Sequence, residues 1–211
     1  MRYFGTYERF EVADDEDIGR VLSADNSVGD VYDIELSLED GLYTGSLINA
    51  YGQRIGYFDH GFSKRLAVMS AEGIVEKALL SYIAYTADGD SGRYWGEMAV
   101  ICYDPAFSEQ FERFMGKVSA RIADDVRPKL DLDREAVDRI IDANGDWLPS
   151  QSTILPDAGK DKAYIKRRKR FNERLADQGR AGNKGCYAAS WALMAMLLVA
   201  IAFGVKACMG L

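Results

Sequence analysis

His60 is the only histidine in the chain, so a Ser–His–Asp or Cys–His relay would have to run through it. It stands in Asp59-His60-Gly61, a turn ahead of a candidate helix cap at Ser63, where a surface or capping role is expected. The three cysteines, Cys102, Cys186 and Cys208, are too widely spaced to form a metal-ligand or redox pair. Cys102 lies in an apolar run that predicts a buried, inert thiol. Asp88, Asp90 and Gly92 imitate the start of a calcium loop, but the glycine arrives one place early and no glutamate stands at the twelfth place. Asp142, Asn144 and Asp146 imitate it again, with Trp147 where glycine is required and Thr153 where glutamate is required. Neither a P-loop nor a GxGxxG run is present. No catalytic residue, metal site or cofactor is assigned on this basis. A hydrolase built on scattered carboxylates stays open, because paired acids leave no spacing signature.

Charge is distributed more informatively than these motifs. Residues 1–159 carry 15 Lys/Arg against 30 Asp/Glu, a net of −15, whereas residues 160–184 carry 10 against 3, a net of +7. From Cys186 to Val205 the chain holds twenty residues with no charge. A helix of that length is ~30 Å long and matches the hydrocarbon core of a bilayer. Residues 185–206 are therefore expected to span a membrane, with Tyr187 and Trp191 at the headgroup boundary. Ala188/Ala192 and Ala200/Gly204, each four apart, have the small-residue spacing through which two such helices can pair into a homodimer. Cys186 and Cys208 bracket the span, where a lipid could be attached.

Residues 157–184 read as a basic juxtamembrane neck, with a helix expected over 157–178 behind Asp157 as cap. Lys166, Arg167, Arg168, Lys169, Arg170 and Arg174 are its candidate membrane-surface residues, attracted by anionic lipid. Dense Lys/Arg on one flank places the N-terminal head in the cytoplasm, and MRYFGTYERFEV has no apolar core of a secretory signal to oppose this.

The head reads as α+β: a small antiparallel, barrel-like sheet with one short inserted helix, followed by two amphipathic helices. Residues 1–30 are acidic and interrupted by turn signals, which predicts a solvated segment. Strands are expected over 31–38, 42–50, 54–58, the later part of 74–86 and 93–103, with a helix starting at Ser63 and stopping at Gly73. Asp104-Pro105 opens a helix whose Phe107, Phe111, Phe114, Val118 and Ile122 form one apolar stripe, expected to close the barrel. A second helix covers 133–143, the domain ends near residue 145, and 146–156 is an extended linker.

Gly52-Gln53-Arg54-Ile55-Gly56-Tyr57, a turn and strand carrying Ile-Gly-Tyr and followed by a short helix and a long return strand, resembles the second half of a HIRAN domain over about residues 42–103. That family consists of small β-barrels, and members fused to DNA-remodelling ATPases bind the free 3′ end of single-stranded DNA. The resemblance implies an end-recognition module, with Arg54, Lys64 and Arg65 as the phosphate contacts near Ile-Gly-Tyr. Tyr43, Tyr57, Tyr82, Tyr85, Tyr94 and Trp95 either stack on bases or form core. The family's Asn-Pro-Tyr-Asp-like box is missing, Val31-Tyr32-Asp33 being the nearest remnant, and a head of −15 opposes phosphate binding.

Three readings follow. The first is a membrane-tethered, non-enzymatic adaptor whose HIRAN-like head recruits a cytoplasmic protein, with Arg54, Tyr57, Lys64, Arg65 and Tyr43 as candidate ligand-binding residues. The second is a membrane-attached module for single-stranded nucleic-acid 3′ ends. The third is the carboxylate hydrolase.

Overall fold

The architecture is taken from a computed structural model, which describes residues 2–12, 15–88, 91–156 and 162–166. The chain divides into two compact units, residues 1–168 and 169–211, and every described residue belongs to the first. Its elements are β1 (Tyr3–Glu11), α1 (Asp15–Leu22), β2 (Val31–Glu39), β3 (Leu42–Ile48), β4 (Arg54–Phe58), α2 (His60–Ala71), β5 (Val75–Asp88) and β6 (Ser91–Tyr103). A 3₁₀ turn (Pro105–Phe107), α3 (Ser108–Ala123), α4 (Arg134–Asp142) and β7 (Lys162–Lys166) complete it.

The strands run in the order β2-β3-β4-β1-β6-β5, all antiparallel, and a further β2–β5 pairing closes them into a six-stranded barrel. Local chemistry explains the connections. Asp40 and Gly41 both adopt positive φ (51° and 79°), the backbone that a two-residue hairpin between β2 and β3 requires. Asn49 shapes the next turn, its Oδ1 accepting from the N–H groups of Tyr51 (3.0 Å) and Gln53 (2.9 Å). Asp104 caps the 3₁₀ turn by accepting from Ala106 N, with Pro105 behind it as the sequence predicts. Asp133 does the same for α4 through Ala136 N.

The inner face of the barrel is built from Phe10, Leu47, Phe58, Leu80, Met98 and Val100, all fully buried. The outer face of β1 and β6 is covered as well. There Phe111 of α3 stacks on Tyr3 and Tyr103 at 5.5 and 5.2 Å. Tyr3 and Tyr7 donate their hydroxyl hydrogens to the carbonyls of Leu130 and Pro128. The barrel is thus closed by the β2–β5 ladder, and α3 packs outside it; the apolar stripe serves a second layer of core.

The structure corrects four further expectations. Residues 3–11, expected within a solvated acidic segment, form β1 between β4 and β6, so the domain begins well before residue 31. Glu8, Arg9 and Glu11 disguised a strand whose aromatic residues pack against the core, Phe10 buried and Tyr3, Phe4 and Tyr7 partly buried. Ser63 lies inside α2 rather than capping it; Asp59 is the cap. Residues 146–156 are not a free linker: Thr153 N donates to Arg127 O and Lys129 N to Gln151 O, pairing the two segments across β1 and β6. Within the helix expected over 157–178, residues 162–166 form β7, antiparallel to the far half of β5. An open strand edge satisfies backbone groups that an isolated helix turn would leave to water. Among the described residues no helix is long and apolar enough to cross a membrane. The span expected at 185–206 and the rest of the neck lie outside the described residues.

Candidate functional site

The residues singled out as ligand contacts fall into two places. Arg54 opens β4, and its guanidinium Nη2 lies 2.9 Å from Asp17 Oδ2, a carboxylate of α1 with no solvent exposure. Arg20 also reaches Asp17, at 3.3 Å. Arg54 is therefore the counter-ion of a buried acid. β4 rises ~13 Å from Arg54 to Phe58, so α2, which follows Phe58, stands at the opposite end of that strand.

α2 is fixed there by polar contacts. Asp59 Oδ1 accepts from the N–H groups of Gly61 and Phe62 at 2.8 and 3.2 Å. Nδ1 of His60 lies 2.9 Å from the carbonyl of Tyr43. Ser63 Oγ, fully buried, accepts from Gly45 N (2.8 Å) and donates to Phe58 O (3.2 Å). Lys64 and Arg65 project from α2 as exposed cations, and the Arg65 guanidinium sits 3.9 Å from the centroid of the Phe4 ring. Tyr43, Lys64 and Arg65 thus share one end of the barrel, whereas Tyr57 is half-buried mid-strand opposite Ser46 and Glu11.

Of the aromatic set, Tyr82 and Trp95 form a T-shaped pair at 5.7 Å and are buried to 1% and 5% exposure. They belong to the core and offer no stacking surface. Tyr85 and Tyr94 pair at 5.0 Å on the hairpin between β5 and β6. Among the membrane-surface residues, Lys166 ends β7 opposite Ile83; Arg167, Arg168, Lys169, Arg170, Arg174, Tyr187 and Trp191 lie outside the described residues.

Sequence reasoning missed a row of side chains under α2. Phe4, Cys102 and Glu76 are direct cross-strand partners on β1, β6 and β5, hence neighbours on the inner face. Glu76 Oε1 is buried without a hydrogen-bond partner. Burial pushes the Glu76 carboxyl up to about 7, against a smaller lowering from the Ser70 backbone. Burial, with Glu76 adding to it, pushes the Cys102 thiol up to about 12, so it stays protonated and unreactive. Burial, and then Asp59, also raises Glu8. Glu8 lies two cross-strand rows further in, in the row of Met98 and Leu80, so the two acids do not form a pair.

A second feature lies at the start of β2. A cleft of about 390 Å³ is lined by Asp25, Asp30, Val31, Tyr32, Asn49, Ala50 and Tyr51. Two of its lining residues join a buried polar network: Tyr32 Oη and Asn49 Nδ2 both donate to Asn26 Oδ1, at 3.0 and 3.2 Å. Its rim is open, with Tyr51 68% exposed and Val31 44% exposed. Neither feature leaves a signature in linear spacing, since each depends on strand register between segments far apart in the chain.

No family model, curated protein or solved structure matches the chain. Among the described residues no three His, Cys, Asp or Glu side chains are grouped to hold a metal ion. Exposed features among the described residues include two cations at one end of the barrel and an acidic, partly aromatic cleft near β2's start.

Proposed function

We propose that this chain is a membrane-tethered, non-enzymatic binding protein, a HIRAN-like barrel head facing the cytoplasm and recruiting a protein partner there. The observation that carries the reading is charge order: a head of −15, a neck of +7, then twenty uncharged residues. The acidic head is repelled by an anionic leaflet that attracts the neck, which favours a protein partner over lipid as the head's ligand. Alkaline extraction of the full chain from membranes, with and without residues 186–211, tests the tether. Release of the intact chain into the soluble fraction would sink it.

A second reading, a module for single-stranded nucleic-acid 3′ ends, is favoured by one arrangement. Lys64 and Arg65 are exposed beside Tyr43 at the end of the barrel that follows Ile-Gly-Tyr. Fluorescence anisotropy with oligonucleotides ending in a 3′-hydroxyl or a 3′-phosphate decides it: tight binding that prefers the free hydroxyl supports end recognition. No binding at tens of micromolar removes it. The third reading, a hydrolase using carboxylates, needs paired acids, and Glu8 and Glu76 stand two rows apart.

A further inference from the structure

β2 runs on past its neighbour. Its ladder with β5 ends at Asp33–Lys77, whereas its ladder with β3 continues to Glu39–Leu42. From Glu35 to Glu39, ~13 Å of strand, β2 is therefore paired on one side only. The register fixes which backbone groups face the open side. Glu39 and Leu42 close a two-residue turn, so they exchange hydrogen bonds, and the pairs that do so alternate along the ladder. Leu36–Gly45 and Leu38–Tyr43 are the intervening pairs that do not. Two contacts agree with this: Gly45 N donates to Ser63 Oγ, and Tyr43 O meets His60 Nδ1, so both groups turn away from β2 toward α2. The N–H and C=O groups of Leu36 and Leu38 consequently point out along the open edge, and no described residue bonds to them there. Such an edge is a template for another strand.

The two faces of this edge differ in chemistry. Ile34 and Leu36 lie on the face of Ser63, each 3.5 Å from where a Cβ on Gly45 would stand. Leu38 continues that apolar face and is 58% exposed. Glu35, Ser37 and Glu39 alternate onto the opposite face, away from α2. Glu35, Glu39 and the adjoining Asp40 are exposed, and among the described residues none of the three is in an ion pair.

We propose that the open edge of β2 is a docking site for an extended, basic segment of a partner protein, which joins the sheet as an antiparallel strand beside Leu36 and Leu38. This rests on the reading of the head as a protein-binding module and names its partner's chemistry; it is independent of the membrane tether. Main-chain bonds to the two leucines supply affinity, and alternate side chains supply selectivity. Residues opposite Glu35 and Glu39 fall in non-hydrogen-bonded pairs, where side chains approach most closely, so Lys or Arg there completes an ion pair. Residues opposite Leu36 and Leu38 cover the exposed leucine and are apolar. The segment thus reads cation, apolar, any residue, apolar, cation. A second copy of this chain fits poorly, because two β2 edges centred on Ser37 set Glu35 of one copy against Glu39 of the other.

The test uses the full chain in neutral detergent and a fluorescein-labelled peptide, Gly-Lys-Val-Thr-Val-Lys-Gly, read by anisotropy. Saturable binding is expected, and the same peptide with glutamate for both lysines should bind about tenfold more weakly. N-methylation of its two valines removes the N–H groups that meet Leu36 and Leu38, and should weaken binding about tenfold at unchanged charge. Leu38→Pro removes one edge donor without breaking a β2–β3 hydrogen bond and should also weaken it. Glu35→Lys with Glu39→Lys should reverse the preference toward the glutamate peptide, which keeps the result readable if Leu38→Pro does not fold. Binding indifferent to N-methylation, or no saturation up to about 1 mM peptide, overturns the proposal. So does a chain that dimerises in detergent and is dispersed by Leu38→Pro, since the edge then belongs to a second copy. Alkaline extraction scores the tether separately: failed peptide binding alone removes the edge, and release from membranes alone removes the tether.

Discussion

The ring of Phe10 fills the space that a side chain at Gly96, its cross-strand partner, would need: a Cβ there would lie 2.3 Å from Phe10 Cε1. The same ring crowds Gly56 of β4, where a Cβ would lie 2.6 Å from Phe10 Cδ2. Phe10 thus sits between two strands that each present a glycine to it. Gly96→Ala must move a fully buried ring, and a Cβ there also meets the Tyr82 carbonyl at 2.6 Å. The expected cost is about 1–3 kcal/mol, read as a lower thermal midpoint by tryptophan fluorescence. Adding Phe10→Leu to Gly96→Ala should recover part of it, and an unshifted midpoint for Gly96→Ala alone would contradict the packing.

Arg127 and Glu97 form an ion pair under the strap of residues 127–130, with side-chain exposures of only 5% and 11%. The guanidinium also lies 4.1 Å from the Tyr7 ring centroid and donates to Ile154 O at 3.0 Å. Arg127→Ala leaves a buried carboxylate without its counter-ion, which costs about 3–5 kcal/mol. Glu97→Leu together with Arg127→Met removes both charges and should lie much closer to the parent in chemical denaturation. If the double replacement is no better than the single one, the loss lies in the strap's packing and not in the stranded charge.

Much of the head was legible in the sequence, for local reasons. Asp40-Gly41 dictates its hairpin, Asp104-Pro105 and Asp133 announce their helices, and the alternation in 31–38 marks β2. What was hidden is long-range. β1 is covered by the barrel core on one face and by α3 with the 127–130 segment on the other, so its burial follows from elements more than a hundred residues away. The same holds for the candidate sites. Arg54 near Ile-Gly-Tyr looked like an available cation, but the fold brings Asp17 to it, 37 residues earlier in the chain. Glu76 and Cys102 become neighbours only through the β5–β6 register.

Glu76 makes the head sensitive to pH. Its carboxyl is raised from 4.5 to about 7 by burial, so the fold prefers the protonated form. For a raised acid, the stabilisation is fully present below pH 4.5 and is lost as pH rises through about 7. Glu76→Gln keeps the neutral shape at all pH values. The variant should therefore be more stable than the parent at pH 8 and nearly equal to it at pH 5. Thermal midpoints at the two values check this, and a difference that does not change between them would place the effect in packing.

Salt dependence separates the cations that fold the head from those that face a ligand. Each phosphate contact on a single strand contributes about 0.7 to the slope of log affinity against log salt concentration. Arg54 is engaged by the buried Asp17, whereas Lys64 and Arg65 are exposed on α2. If single-stranded nucleic acid is bound, Lys64→Ala with Arg65→Ala should flatten that slope by about 1.4, two contacts' worth. Arg54→Ala should leave the slope unchanged and lower stability instead, because it removes a counter-ion from Asp17. Anisotropy titrations at several salt concentrations, paired with thermal melts, distinguish the two. A flattened slope for Arg54→Ala with an unchanged melt would mean that Arg54 leaves Asp17 to hold the ligand, and the ligand site would then extend across the barrel to the start of β4.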